Sequence, residues 1–419
     1  MYYVMYSNEN GEWMEHPDLA MLGRSGNSWV IPEQSEMIPL PSGSSLVNIP
    51  GYFPVGLEND NQAMCLNSDP GCPGKRAGVV AALLPQGFTR TLLPACIPRA
   101  QGGGIPLLGY TAVGFRGDKV YAAAVQSDRH HSWHPRYYNT EQLSQRIHRM
   151  LRRFPHNRIL RQLAKCSLQY GCFTAQNMFY QRWEAGIPST PACNANCLGC
   201  ISEQHGEADS PQHRLGFVPT VDEIVELGVN HLKNAPRAII SFGQGCEGEP
   251  SLNADLIAPA IGRMRLQTPG GTININSHGG NHKQLQKIFK AGLDAIRVTI
   301  FSLVEENYNL YHRPQNYKLG QVFNSIKAAL DQNIQVSLNL LVLPGFTDQP
   351  QEVEALLGFL EENPVDMIQM RNLNIDPDVI DQHMGFKSAG IGITSMIATL
   401  QREAPAVRLG SYTHEVDKY

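Results

Sequence analysis

The sequence predicts an α/β protein: a partial, open (β/α)6 barrel that follows a β-rich N-terminal domain and a basic helical segment. Three observations carry this expectation. From residue 190 onward, strand-like and helical segments alternate, the pattern of parallel strands with helices outside. From residue 1 to about 125, short apolar runs are separated by Gly, Pro, Asn and Ser, a texture of strands and turns. Between these regions, residues 139–184 carry apolar side chains at helical spacing.

Each element follows from its residues. Ser28-Trp29-Val30-Ile31 and the run 120–125 read as strands, and Gly102-Gly103-Gly104 as a loop. No helix follows those glycines, so they are not a phosphate cradle. Asn139-Thr140 reads as the cap of a helix with Leu143, Ile147, Leu151 and Phe154 on one face and Arg146, Arg149, Arg152 and Arg153 on the other. Pro155 ends it. A second helix covers 158–170, with Gly171 placed to stop it, and a third covers 174–185. Strands are expected at 238–242, 272–276, 295–300, 335–343 and 367–372, with one more leading into residues 186–192. Helices are expected at 221–233, 254–266, 283–291, 319–332 and 350–361. About six strands fall short of the eight that close a full barrel. The implied domains are a β-rich 1–125, a basic helical 126–185, a barrel at 186–375 and a C-terminal extension at 376–419.

Bulk composition narrows the function classes. The 419 residues are 42% hydrophobic and 17% charged, as in a globular protein. A net charge of −4 gives no global attraction to nucleic acid or anionic membranes. No apolar run approaches the ~20 residues that span a bilayer. Met1-Tyr2-Tyr3-Val4-Met5-Tyr6-Ser7 lacks a basic region and a long apolar stretch, so it is not a secretory signal. A cytoplasmic address is expected, where thiols stay reduced and open to metal.

Cys193, Cys197 and Cys200 form C-x3-C-x2-C in one short segment. Three thiolates suffice for three irons of a [4Fe–4S] cube and leave the fourth open, whereas four-cysteine sites coordinate every iron. Zinc with His205 or Cys246 as a fourth ligand is the competing reading, but structural zinc usually takes paired C-x2-C knuckles and no second one is present. The first clear strand then ends in Gly243-Gln244-Gly245-Cys246-Glu247-Gly248-Glu249-Pro250, whose small residues let a ligand approach the backbone. Later strands end in Asn276-Ser277-His278-Gly279, Arg297-Val298-Thr299-Ile300-Phe301-Ser302 and Asn339-Leu340-Leu341-Val342-Leu343-Pro344-Gly345. In parallel β/α architectures the carboxyl ends of strands carry the site.

The cysteine triad, Gly248-Glu249-Pro250 and these strand ends resemble the radical S-adenosylmethionine (radical SAM) superfamily over roughly residues 186–375. The chain is similar to a subset of that superfamily with a long N-terminal extension. The resemblance implies a radical SAM partial barrel, a [4Fe–4S] cluster on Cys193, Cys197 and Cys200, and S-adenosylmethionine chelated at the open iron. It implies reductive cleavage to a 5′-deoxyadenosyl radical that abstracts hydrogen from a substrate. It places Glu249, with Gly248, at the methionyl amino group, and Glu247 as the second choice there. Ser277 and Thr299 fall near the ribose and carboxylate, Arg297 adds charge beside them, and Phe301 dries that side. Ser337, Asn339 and Leu341 share a face, with Leu341 set to pack the adenine. Gln369, Arg371 and Asn374 line the substrate cavity. The partners expected are a flavodoxin- or ferredoxin-type electron donor and a substrate that is a small molecule, a peptide or an RNA.

Two features lie outside that pattern. Cys65, Cys72, Cys96, Cys166, Cys172 and Cys246 are six further cysteines at irregular spacing, read as small buried residues or as an auxiliary metal site. Residues 129–165 hold nine Arg or Lys and one acid, Glu141, a face suited to RNA, to an acidic electron donor, or simply to water. The alternative to an enzyme is a non-catalytic metal- or Fe–S-binding protein that uses these basic helices to engage a partner.

Overall fold

The computed structural model describes residues 1–99, 105–129, 131–203, 212–386 and 388–416. Gly102-Gly103-Gly104, His130 and His205 lie outside them. The barrel is an open sheet of seven parallel strands in chain order: Glu184–Gly186, Ile239–Phe242, Thr272–Ser277, Ala295–Ile300, Gln335–Val342, Met367–Asn372 and Arg408–Gly410. Helices Val221–Asn234, Ala254–Gln267, His282–Lys290, Leu319–Leu330 and Pro350–Glu362 connect them.

Period-2 alternation explains why this sheet has an apolar outside and a polar inside. Ile296, Val298 and Ile300 are fully buried against the helices, while Arg297 and Thr299 between them face the cavity. The next strand repeats the split with Leu338 and Val342 outward and Asn339 and Leu341 inward. Helix Val221–Asn234 starts at a capping box, in which Thr220 and Glu223 satisfy each other's backbone amides.

Sequence and structure differ at several elements, among them helices Pro377–Met384 and Ile393–Glu403 within the segment read as an extension. Six strands were expected, and Arg408–Gly410 adds a seventh, paired in parallel with Met367–Asn372 from within the segment read as a C-terminal extension. Three residues carry too little periodicity to announce a strand. The third helix runs only from Phe173 to Tyr180, because Gln181 and Trp183 adopt left-handed conformations and turn the chain into strand Glu184–Gly186. The first helix begins at Leu143, while Thr140 binds the Tyr180 hydroxyl instead of capping it. Helix Glu305–His312 was not anticipated; eight residues with two asparagines carry a weak signal, and it forms by burying Tyr308, Tyr311 and His312.

The N-terminal region is antiparallel β, as its texture predicted, in a twelve-stranded sheet and a three-stranded one. Strands Val113–Arg116 and Lys119–Gln126 form a hairpin whose two-residue turn uses Gly117 at φ 62°. This region docks on the barrel mouth. The Arg90 amide donates to Asn372 Oδ1 (2.9 Å), Asn372 Nδ2 donates to the Phe88 carbonyl (3.1 Å), and Arg90 Nη2 donates to the Leu373 carbonyl (2.6 Å). Arg90 is fully buried, and burial pulls its pKa down to about 9. Among the described residues, no helix is long and apolar enough to cross a membrane.

Candidate cofactor site

The cysteine loop is clamped from two sides. On one, the Gly248 amide donates to the Thr190 carbonyl (2.8 Å) and the Glu249 amide to the Ala192 carbonyl (2.8 Å). A Cβ on Gly248 would sit 1.9 Å from the Ala192 oxygen, so only glycine allows this approach. On the other, the Leu198 amide donates to the Tyr311 carbonyl and the Asn196 amide to the His312 carbonyl. Below the loop, His278 Nδ1 accepts from the Gly280 amide (2.9 Å), which leaves Nε2 protonated to donate to Asn194 Oδ1 (2.8 Å). Burial lowers the His278 pKa, so its 3.6 Å approach to Glu249 is not an ion pair.

Glu247 and Glu249 have different surroundings. Glu247 accepts five hydrogen bonds: from the Ser189 amide and hydroxyl, and from the Thr190, Gly243 and Gln244 amides. Burial pushes its pKa up to about 7 against the pull of these donors. It staples the cysteine loop to the glycine loop. Glu249 accepts from the Ser251 amide and hydroxyl, from the Ser277 hydroxyl (2.6 Å) and from the His278 amide (3.0 Å). It lines the cavity at the end of the third barrel strand.

That cavity has a volume of about 540 Å³, within the range of small-molecule sites. Cys193, Cys197, Cys200, Glu247, Gly248, Glu249, Ser277, Thr299, Asn339 and Leu341 all border it. Arg297 and Arg371 border it too. Asn339 Nδ2 donates to Thr299 Oγ1 (3.0 Å); among the described residues its own Oδ1 has no partner, and neither has Asn276 Nδ2. Buried amides in that condition are what a polar ligand satisfies.

The thiols suit a multi-iron cluster. Burial pushes Cys193 up to about 11 and Cys197 well above the usual thiol value, with the neighbouring cysteines adding to the rise at Cys197. Bound irons reverse that preference by holding thiolates. Among the described residues, no three His, Cys, Asp or Glu converge on a single-ion site. Two donors face the sulfurs. Arg214 Nη2 donates to Cys200 Sγ (3.6 Å). His312 Nε2 accepts from the Phe301 amide (3.2 Å), which fixes the proton on Nδ1, 3.5 Å from Cys197 Sγ. Sequence reasoning missed both residues, along with Gln86 and Trp133, which reach the cavity from upstream of the barrel. Nothing in their local sequence marks them.

Other expectations resolve differently. The Phe301 side chain points away from the cavity and stacks between Tyr311 and Phe346. The Arg297 guanidinium turns toward Gln369 and Thr413 rather than toward the Glu249 side. Cys246 is buried facing Cys166, which raises its pKa by hydrogen bonding, and it does not border the cavity. Arg149, Arg152 and Arg153 are exposed, and Arg146 stacks on Tyr180.

The parallel half-barrel with a cavity at its strand ends defines a β/α domain that holds a cofactor inside. Residues 187–360 match the radical SAM superfamily, and they are a radical SAM domain. That superfamily uses a [4Fe–4S] cluster and S-adenosylmethionine. The chain is 27% identical over 212 residues to a probable GTP 3′,8-cyclase of Methanococcus maripaludis strain C7, covering 48% of this chain and 65% of that protein. It is 26% identical over 198 residues to GTP 3′,8-cyclase of Chlorobaculum tepidum, covering 43% and 53%. The chain thus spans less than two thirds of these relatives' lengths. A crystal structure of HydG, a maturase of the [FeFe]-hydrogenase, aligns with TM-score 0.38 and 16% identity over 65% of this chain and 66% of that chain.

Proposed function

We propose that this chain is a radical SAM enzyme that abstracts hydrogen from a small-molecule substrate. The observation that carries the reading is the shared cavity: three thiols, the Gly248-Glu249 loop and the inward residues of three later strands border one space. When bound, the cluster and S-adenosylmethionine supply a 5′-deoxyadenosyl radical. Every other role falls to the chain itself. Cys193, Cys197 and Cys200 hold the cluster. Glu249 receives the methionyl amino group, and Gly248 lets that loop lie against the cysteine loop. Glu247, with its five donors already in place, holds the loops in register. Ser277 and Thr299 face the ribose and carboxylate, Asn339 offers its unpaired Oδ1 to the same ligand, and Leu341 packs the adenine. Gln86 and Trp133 help to close the far side against water, which protects a radical from quenching.

A small molecule is the first substrate class to test, because the inward side chains of the barrel enclose the site. The relatives are named for a reaction of GTP, so a purine nucleotide belongs in the first substrate panel. A flavodoxin- or ferredoxin-type protein supplies the electron in this reading. Anaerobic reconstitution with iron, sulfide and dithionite should give a brown protein that makes 5′-deoxyadenosine. Cys197→Ala should make none. Equal product from the variant, or zinc with no iron in the native protein, would overturn the proposal.

A further inference from the structure

Arg297 and Arg371 are two inward-facing guanidinium groups on adjacent parts of the cavity floor, and their described partners are all neutral. Arg297 Nη1 donates to Gln369 Oε1 (3.0 Å) and Thr413 Oγ1 (3.2 Å), while its Nε is buried with no partner. Arg371 Nη1 donates to the Ser411 carbonyl (2.8 Å). Each keeps some accessible surface where it borders the cavity. Glu184 attracts both through space, and its Oε1 accepts from Ser241, Gln244 and Thr413. Among the described residues it is the one carboxylate that acts on both guanidinium groups. A bound anion would add the second negative charge that a partly buried guanidinium pair favours.

Arg297 and Arg371 turn toward Gln369, Ser411 and Thr413, whereas Glu249 bonds Ser277 and His278 at the end of the third strand. Arg371 also borders an adjoining cavity of about 250 Å³, shared with Gln86, Asn372 and Asn374 under the N-terminal sheet. Gln369, which accepts from Arg297, is fully buried and borders neither cavity. Planar guanidinium forks match carboxylate and phosphate oxygens in paired hydrogen bonds.

We propose that Arg297 and Arg371 form an oxyanion receptor that orients the substrate by a carboxylate or phosphate group, so that the substrate of this chain is a small acid. The inference deepens the enzyme reading above and names its substrate class. The test uses the full chain, reconstituted and loaded with S-adenosylmethionine but not reduced. Calorimetry follows inorganic phosphate, glutarate and the neutral analogue glutaramide at constant ionic strength. Phosphate or glutarate should bind and glutaramide should not; which anion binds more tightly identifies the group. Arg371→Gln and Arg297→Gln should each weaken that binding at least about tenfold, ~1.4 kcal/mol. A second measurement needs no variant: in the native protein the bound anion should protect Arg371 from phenylglyoxal, read by mass spectrometry. Absence of anion binding, equal binding by the variants, or unprotected Arg371 overturns the inference. If the native protein makes 5′-deoxyadenosine on reduction but binds no anion, only this inference falls. Anion binding without any 5′-deoxyadenosine supports the receptor and sinks the enzyme reading instead.

Discussion

Gly248→Ala tests the packing that joins the two loops of the site. The added Cβ would lie 1.9 Å from the Ala192 oxygen, 2.4 Å from its carbonyl carbon and 3.0 Å from the Cys193 nitrogen. All three are backbone atoms, so no side chain can swing aside. Opening the closest contact to 3.0 Å moves the loops apart by about 1.1 Å. The two hydrogen bonds between them, each 2.8 Å, then stretch beyond bonding range. Losing two buried hydrogen bonds costs about 2–6 kcal/mol locally, at ~1–3 kcal/mol for each broken bond. Ala192 precedes Cys193, so the first thiol shifts by a comparable distance, and a misplacement of ~1 Å near the chemistry costs ~100-fold in rate. Gly358→Ala is the control: it lies in a helix with nothing within 4 Å of the new Cβ, and it should be neutral or stabilise by about 0.5–1 kcal/mol. Iron content, melting temperature and 5′-deoxyadenosine formation are measured on both. A Gly248→Ala protein with native iron content and a rate within about twofold of native would refute the reasoning.

Glu247→Ala should be among the most damaging single changes, because it leaves four backbone amides of Ser189, Thr190, Gly243 and Gln244 without their acceptor; a loss of at least about 4 kcal/mol is expected by denaturant unfolding, with faster hydrogen exchange confined to both loops. His312→Phe removes the donor facing Cys197 and should make the cluster harder to reduce, read as a more negative midpoint in an EPR-monitored titration; an unchanged midpoint would deny His312 that role. His231 is fully buried with Nε2 on the Trp183 carbonyl and Nδ1 unpaired, and burial lowers its pKa from 6.5 to about 4. The folded state therefore resists protonation that the unfolded chain accepts. The associated stability is present above about pH 6.5 and is lost as pH falls through 4, by at most about 3 kcal/mol, and His231→Gln should flatten that limb of the stability profile.

What the sequence by itself determined is what short-range pattern can encode. Strand-like runs marked Ala295–Ile300 and Met367–Asn372 at their observed ends, and period-2 alternation put Arg297 on the inner side of the first and Asn339 with Leu341 on one face of the strand between them. Thiol spacing marked the cluster loop, and glycines beside Glu249 marked the loop that packs on it. Tertiary structure alone decided which distant groups meet. His312 and Arg214 reach the sulfurs because a helix packs across the cysteine loop and a later segment folds back over it, neither of which leaves a local signal. Glu247 and Glu249 are two residues apart and chemically alike; only the fold gives one five donors from the two loops and sets the other against Ser277 and His278 at the end of the third strand. Arg297 and Arg371 lie on different strands, and only the curl of the sheet brings both to one cavity and within reach of Glu184. Periodicity reports which face a residue takes; charge balance and close contact depend on residues brought together from across the chain.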